Sequence, residues 1–187
     1  MHLPLLTGLS IIFSPIHIAF LEMIIDPVCS LVFEAEKEEK DIMSRRPRAV
    51  TSHLFTSGLV LWSLLQGVLA FAAVAVLYLL ALRRGMPAED VRALTFVSLV
   101  LANLGLVLGN RSFDSSVRGA LRWDNHALWR VSAVAGVLLG TALAWARDLF
   151  RFGPLHADDL AVAFGIAVGL VVVLEILKGF WRGWLTA

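Results

Sequence analysis

One cysteine, Cys29, stands in 187 residues, so no disulfide closes within the chain and no cysteine-rich metal cage forms. Charge is scarce too: Asp, Glu, Lys and Arg make up 17% of the residues, where a soluble domain carries about a quarter. The five histidines (His2, His17, His53, His126 and His156) include no pair four residues apart, and none is read as a metal ligand. The opening MHLPLLTGLS holds no Lys or Arg, no small-residue cleavage site follows, and Glu22 interrupts the apolar run. It is therefore not expected to be a secretory leader. There is no internal repeat, and no low-complexity tract beyond one charged loop. The six tryptophans fall mostly near the ends of apolar runs, as an anchoring belt rather than a stacking platform, and no nucleic-acid partner is expected.

What fills the chain instead is hydrocarbon. Apolar residues make up 58% of it, the mean hydropathy is +0.79, and the apolar runs approach the ~20 residues a helix needs to cross a bilayer. The expected fold class is an all-α, polytopic membrane helix bundle with about five spans, over 16–33, 54–82, 91–109, 128–145 and 160–177. Residues 1–15, broken by Pro4, Gly8 and Pro15, form an external stub, and 34–53 a cytoplasmic loop. Eleven of the sixteen Lys and Arg residues fall after the first span, after the third and in the tail, the side expected to be cytoplasmic. The N-terminus then lies outside and the C-terminus inside, as expected of a multi-pass protein of the plasma (inner) membrane. Small residues recur every fourth position in the last two spans: Ser132, Gly136, Gly140 and Ala144, then Ala161, Gly165 and Gly169. Such faces allow close approach, so these two spans are expected to pack together.

The first span carries the anomaly. In AFLEMIIDPVCSLVF, Glu22 and Asp26 stand four apart, on one helix face, with Pro27 directly after. An ionised acid at the bilayer centre costs about 2.5–3.5 kcal/mol even on the gentlest scale, so the pair has no stabilising role of its own. Pro27 offers no N–H to the Met23 carbonyl, and a kink or unwinding is expected there. Carboxylates beside freed carbonyls make an all-oxygen environment suited to Ca²⁺, Mg²⁺, Mn²⁺ or alkali ions. The alternative is a protonated acid satisfied by a neighbouring helix.

The segment IHIAFLEMIIDPVCSLVFEAEKEEKDIMSRRPR resembles the sixth transmembrane helix and following loop of type II, calcium-pump-like P-type ATPases. In that family the helix reads roughly L-x-N-L-V-T-D-x-x-P, with Asn, Thr and Asp as ion ligands, and the loop ends in D-I-M-x-R-P-P-R. The likeness extends through Asn110–Ser112 and FRFGPLHADDL to the chain's end, implying helices six to ten of a ten-helix domain. Carried across, Asp26 matches the ligand Asp, Glu22 stands where Asn is usual and Ile25 where Thr is usual. Arg46 replaces the first proline of the loop motif. The third span has no counterpart of the eighth-helix acid; Leu99 falls near its place, and Asn103 is the polar candidate there, which favours one ion per cycle.

The resemblance implies a coupling role for the loop residues Asp41, Ile42, Met43, Arg45 and Arg48, against the plainer reading of a solvated charged loop. It also implies ATP and Mg²⁺ as cofactors of the complete pump. D-K-T-G-T, the T-G-E loop and the nucleotide domain do not occur in this sequence, so it is not expected to hydrolyse ATP by itself. It reads as if begun mid-protein, and its expected partners are the transported cation, the bilayer and a missing N-terminal half. A passive cation pore, or a regulator of an intact pump, remains as the alternative function. Elsewhere, Gln66 and Asn103 are expected to make interhelical hydrogen bonds, Glu175 and Lys178 to pair near the inner end of the last span, and Cys29 to pack. The orientation has a direct check: a membrane-impermeant thiol reagent should reach His2→Cys in intact cells, and Thr186→Cys only after permeabilisation.

Overall fold

A computed structural model describes residues 12–35, 57–110 and 126–185. Within them the chain is helical: α1 (Pro15–Glu34), α2 (Ser57–Arg83), α3 (Ala88–Asn110), α4 (His126–Ala144), the single turn α5 (Arg147–Phe150) and α6 (Ala157–Leu185). The helices α1, α2, α3 and α6 are long and apolar enough to cross a membrane, while α4 has a shorter apolar stretch, Trp129–Ala144. The protein is a polytopic helix bundle.

Local chemistry sets the helix ends. Pro15 lies in the first turn, where its missing N–H costs nothing, so it starts α1 rather than breaking it. At the end of α2 the Gly85 N–H reaches the Leu82 carbonyl and the Met86 N–H the Ala81 carbonyl, with Gly85 at φ 68°. This closure needs a left-handed residue, which glycine supplies without a Cβ clash. The same pattern ends α5, with Arg151 (φ 49°) as the left-handed residue and the Phe152 N–H on the Arg147 carbonyl. Through Pro27, α1 remains an uninterrupted helix, so the unwinding expected from the sequence does not occur.

The bundle is organised around α3, most of whose membrane-spanning length is buried, against about a quarter for α1, α2 and α6. On one side α2 and α6 pack against α3 and each other; on the other, α1 packs against α3 and carries α4 on its flank. Val91, Leu94, Phe96, Val97 and Val100 of α3 meet Ile24, Val28 and Val32 of α1 and Leu77, Tyr78 and Ala81 of α2 in one core. Polar residues inside α3 bond within the helix: the Thr95 hydroxyl donates to the Val91 carbonyl at 2.7 Å, and Ser98 to Leu94 at 2.8 Å.

The expected pairing of the last two spans is not formed, since α4 packs mainly on α1 and α6 on α3 and α2. A Cβ on Gly136, Gly140, Gly165 or Gly169 would meet nothing within 4 Å, and all four face outward. A stripe of small residues permits close approach but does not choose the partner. The close approach lies at Gly105 of α3, where an added Cβ would sit 2.9 Å from Val171 Cγ2 and 3.7 Å from the Ala167 carbonyl of α6. Trp62, placed near an interface by its position in the sequence, is buried in the bundle.

Hydrogen bonds tie both ends of the bundle. Where α2 ends and α3 begins, the Arg92 guanidinium donates to the Ile12 and Arg151 carbonyls, each at 2.8 Å, and the Gly153 N–H donates to Glu89 O at 3.0 Å. A Cβ on Gly153 would collide with Asp90. At the opposite end the Gln66 and Asn110 side chains exchange amide hydrogen bonds of 2.8 and 3.0 Å. There the Lys178 ammonium donates to the Gly109 carbonyl at 2.6 Å and to Glu175 at 3.3 Å. The Glu175–Lys178 pair is therefore present as expected, but buried, with α3's terminal carbonyl as a third member.

Packing at Gly105 yields a direct test. Gly105→Leu should destabilise the protein by about 1–3 kcal/mol, the usual cost of overpacking, whereas Gly169→Leu, facing open space, should stay close to the parent. Thermal unfolding in detergent compares the two.

Candidate cation site

The acids of α1 sit where helical geometry puts them. His17, Ile24, Val28 and Val32 form the buried side of α1, while Glu22, Asp26 and Pro27 lie on the exposed side with Met23 beside them. Both acids are on the described part of the bundle's surface, at the depth of an apolar span. Among the described residues no group of three or more His, Cys, Asp or Glu side chains could hold a metal ion.

Asn103 is not brought to the acids. Its amide donates to the Leu99 carbonyl of its own helix at 2.9 Å. Its side chain also lines a half-open cleft of about 230 Å³ between α1 and α3, with Ile25, Val28, Cys29, Val100 and Asn110 among the other lining residues; Glu22 and Asp26 do not line it. The expected interhelical bond of Gln66 is present, made to Asn110 rather than to Asn103. Ile25, the residue standing where a Thr hydroxyl is usual, points an apolar side chain into this cleft, next to Cys29 and Asn103. The coupling-loop residues Asp41, Ile42, Met43, Arg45 and Arg48 lie outside the described residues.

The family described as "Cation transporting ATPase, C-terminus" matches residues 10–180. The chain belongs to that family. It is similar to a calcium-transporting ATPase of Listeria monocytogenes, with 29% identity over 168 residues, and to calcium-transporting ATPase 1 of Lactococcus lactis, with 26% over 168 residues. Each match covers 89% of this chain and 19% of the relative, so the chain spans about a fifth of the length of these proteins. As a C-terminal membrane domain of the cation-transporting ATPase family, it is a multi-pass integral membrane protein.

Sequence reasoning missed two partnerships. His17 was read as one of several scattered histidines, yet it is buried and hydrogen-bonded at both ring nitrogens. The signal lay in SPIH: a Ser, a Pro in the first turn, and a side chain at the third helical position able to reach back to the Ser N–H. Asn110 carries no signal of its own in the sequence, and its reciprocal bond with Gln66 depends on which helices are neighbours.

The two acids are surface groups of this bundle at hydrocarbon depth, so removing them should stabilise it. Glu22→Leu and Asp26→Leu should each raise the thermal midpoint of the chain in nanodiscs, the gain per acid being bounded by the insertion cost of about 2.5–3.5 kcal/mol. A fall in midpoint would mean that the acids support the fold.

Proposed function

We propose that this chain supplies cation ligands to an ATP-driven transporter of Ca²⁺ or another hard cation, with Glu22 and Asp26 of α1 in the ion path. The observation that carries the reading is the pair of carboxylates one turn apart on the exposed face of a membrane-spanning helix. Oxygen donors of this kind suit hard cations. Two of them facing hydrocarbon are tolerable only if further helices cover the face and bring compensating groups.

The covering helices, the phosphorylated aspartate and the nucleotide site are assigned to the part of the transporter beyond this homology, either on the same polypeptide or on a partner. The printed names of the two relatives as calcium-transporting ATPases support Ca²⁺ as cargo. Ile25 in the α1–α3 cleft, and a stretch of α3 from Val91 to Asn110 that carries no acid beyond the Glu89 and Asp90 of its first turn, support a single ion per cycle. Asn103 is retained as a weaker ligand candidate, reached only if its side chain leaves the Leu99 carbonyl. The loop bearing Asp41, Ile42, Met43, Arg45 and Arg48 is proposed to relay phosphorylation to α1.

Affinity purification from native membranes, followed by assay of Ca²⁺-dependent ATP hydrolysis, tests this. The expected result is recovery of a D-K-T-G-T segment with about five further spans, on this chain or another, a topology read from the resemblance. Glu22→Gln and Asp26→Asn should then each raise the half-saturating Ca²⁺ concentration about tenfold or more, equivalent to roughly 1.4 kcal/mol of lost ligation. Ion flux through the chain alone in liposomes without ATP, abolished by the same substitutions, would instead establish a pore. A full pump recovered as a partner whose turnover changes equally with wild-type and acid-free chains would establish a regulator.

A further inference from the structure

Among the buried ionisable groups outside the proposed ion path, His17 is held the most tightly. Its ring is 3% exposed. Nδ1 accepts from the Ser14 N–H at 3.1 Å and from the Ser14 hydroxyl at 2.7 Å, which leaves the proton on Nε2 to be donated to the Phe150 carbonyl at 2.8 Å. Around it, the rings of Phe13, Phe96, Phe150 and Phe152 lie with centroids 5.3 to 5.8 Å away. One side chain thus joins the first turn of α1 to the end of α5, 133 residues away, against a ring of α3. Arg92 reinforces the joint from α3 through the Ile12 and Arg151 carbonyls.

We propose that His17 is a positioning residue that fixes the rotation of α1 about its axis and so sets where Glu22 and Asp26 point; its consequence for transport rests on the ion-ligand reading above. Further along α1, the buried residues are the apolar Ile24, Val28 and Val32. Apolar contacts carry no direction and tolerate a modest rotation of the helix. The Nε2 bond to Phe150 does not, because hydrogen bonds weaken steeply off axis, while the Nδ1 bonds to Ser14, within the same turn, hold the ring in the tautomer and orientation that this bond needs. At about 100° per residue, Asp26, nine residues on, lies about 180° from His17, and Glu22 about 140° from it. The histidine therefore anchors the face opposite the carboxylates. The segment between them lies ahead of Pro27 and is unbroken helix, so any rotation at His17 is transmitted whole to both acids.

The experiment uses the full chain in nanodiscs in a Cys29→Ser background, with a spin label at Met23 or Ile25. These positions flank the acid face: Met23 is half exposed and Ile25 lines the cleft. Rotation exposes one label to oxygen in the lipid as it shields the other. His17→Leu, which keeps bulk but loses both bonds, should shift the 23-to-25 accessibility ratio severalfold. His17→Gln, which offers an amide N–H to Phe150 and a carbonyl toward Ser14, should restore it. An unchanged ratio in His17→Leu would overturn the proposal. If that variant does not fold, His17→Phe, which keeps an aromatic ring among the phenylalanines and loses the bond to Phe150, should shift the ratio in the same direction, and no shift would again overturn it. In the complete transporter, His17→Leu should raise the half-saturating Ca²⁺ concentration more than it lowers maximal turnover, with rescue by Gln. A shifted label ratio with unchanged Ca²⁺ dependence would keep the positioning role and reject the ion-ligand reading beneath it.

Discussion

Within hydrocarbon, a polar group must find its partner inside the protein, and the architecture of this bundle follows from that requirement. Thr95, Ser98 and Asn103 satisfy it by bonding back to carbonyls of their own helix. Gln66 and Asn110 satisfy each other across α2 and α3. Lys178 is satisfied by Glu175 together with the Gly109 carbonyl, one of the carbonyls left unpaired where α3 ends. A cation placed at that terminus also meets the negative end of the helix dipole. The two solutions that cross between helices, Gln66 with Asn110 and Lys178 with Gly109, fix a neighbour and a register, which the apolar contacts alone do not.

The consequence is a division of labour among the helices. Because α3 is covered on several sides, it can carry hydroxyls and amides that would be costly on a lipid-facing helix. In contrast, α2 shows Leu64, Val68 and Phe71 at the surface, where apolar side chains cost nothing in lipid. The two ends of α3 are held differently: a joint of backbone carbonyls, Arg92, His17 and Gly153 at one end, and a paired amide with a buried ion pair at the other. Between them Gly105 leaves room for Val171 and the Ala167 carbonyl of α6, where a Cβ would clash.

Against this background α1 stands apart. Its buried side follows the rules of the bundle, whereas Glu22 and Asp26 on its exposed side break them. Sequences in general break local rules where function requires it and compensate elsewhere. The chain spans about a fifth of the length of the transporters it resembles, and both acids are exposed among the described residues. A helix that packs firmly on one side and is left unsatisfied on the other is a natural element to connect a scaffold to moving parts.

The sequence by itself determined the fold class, a polytopic helix bundle, and the anomaly of two acids in the first apolar run. These depend on local quantities: run length, the four-residue spacing of Glu22 and Asp26, and the cost of charge at membrane depth. It also determined the Glu175–Lys178 pairing, because residues three apart on a helix are neighbours in any fold. Tertiary structure alone decided which helices touch. The glycine stripes of α4 and α6 promised a contact that does not form, whereas the Gly105 and Gly109 pair of α3, four residues apart, faces Val171 and Glu175 of α6. The partners of Gln66 and His17 were likewise hidden, 44 and 133 residues away along the chain. The physical reason is common to all of them: in lipid the helices gain little from hiding apolar surface from water, so partners are chosen by the fit of close-packed faces and by single hydrogen bonds. Neither is a periodic property of one helix.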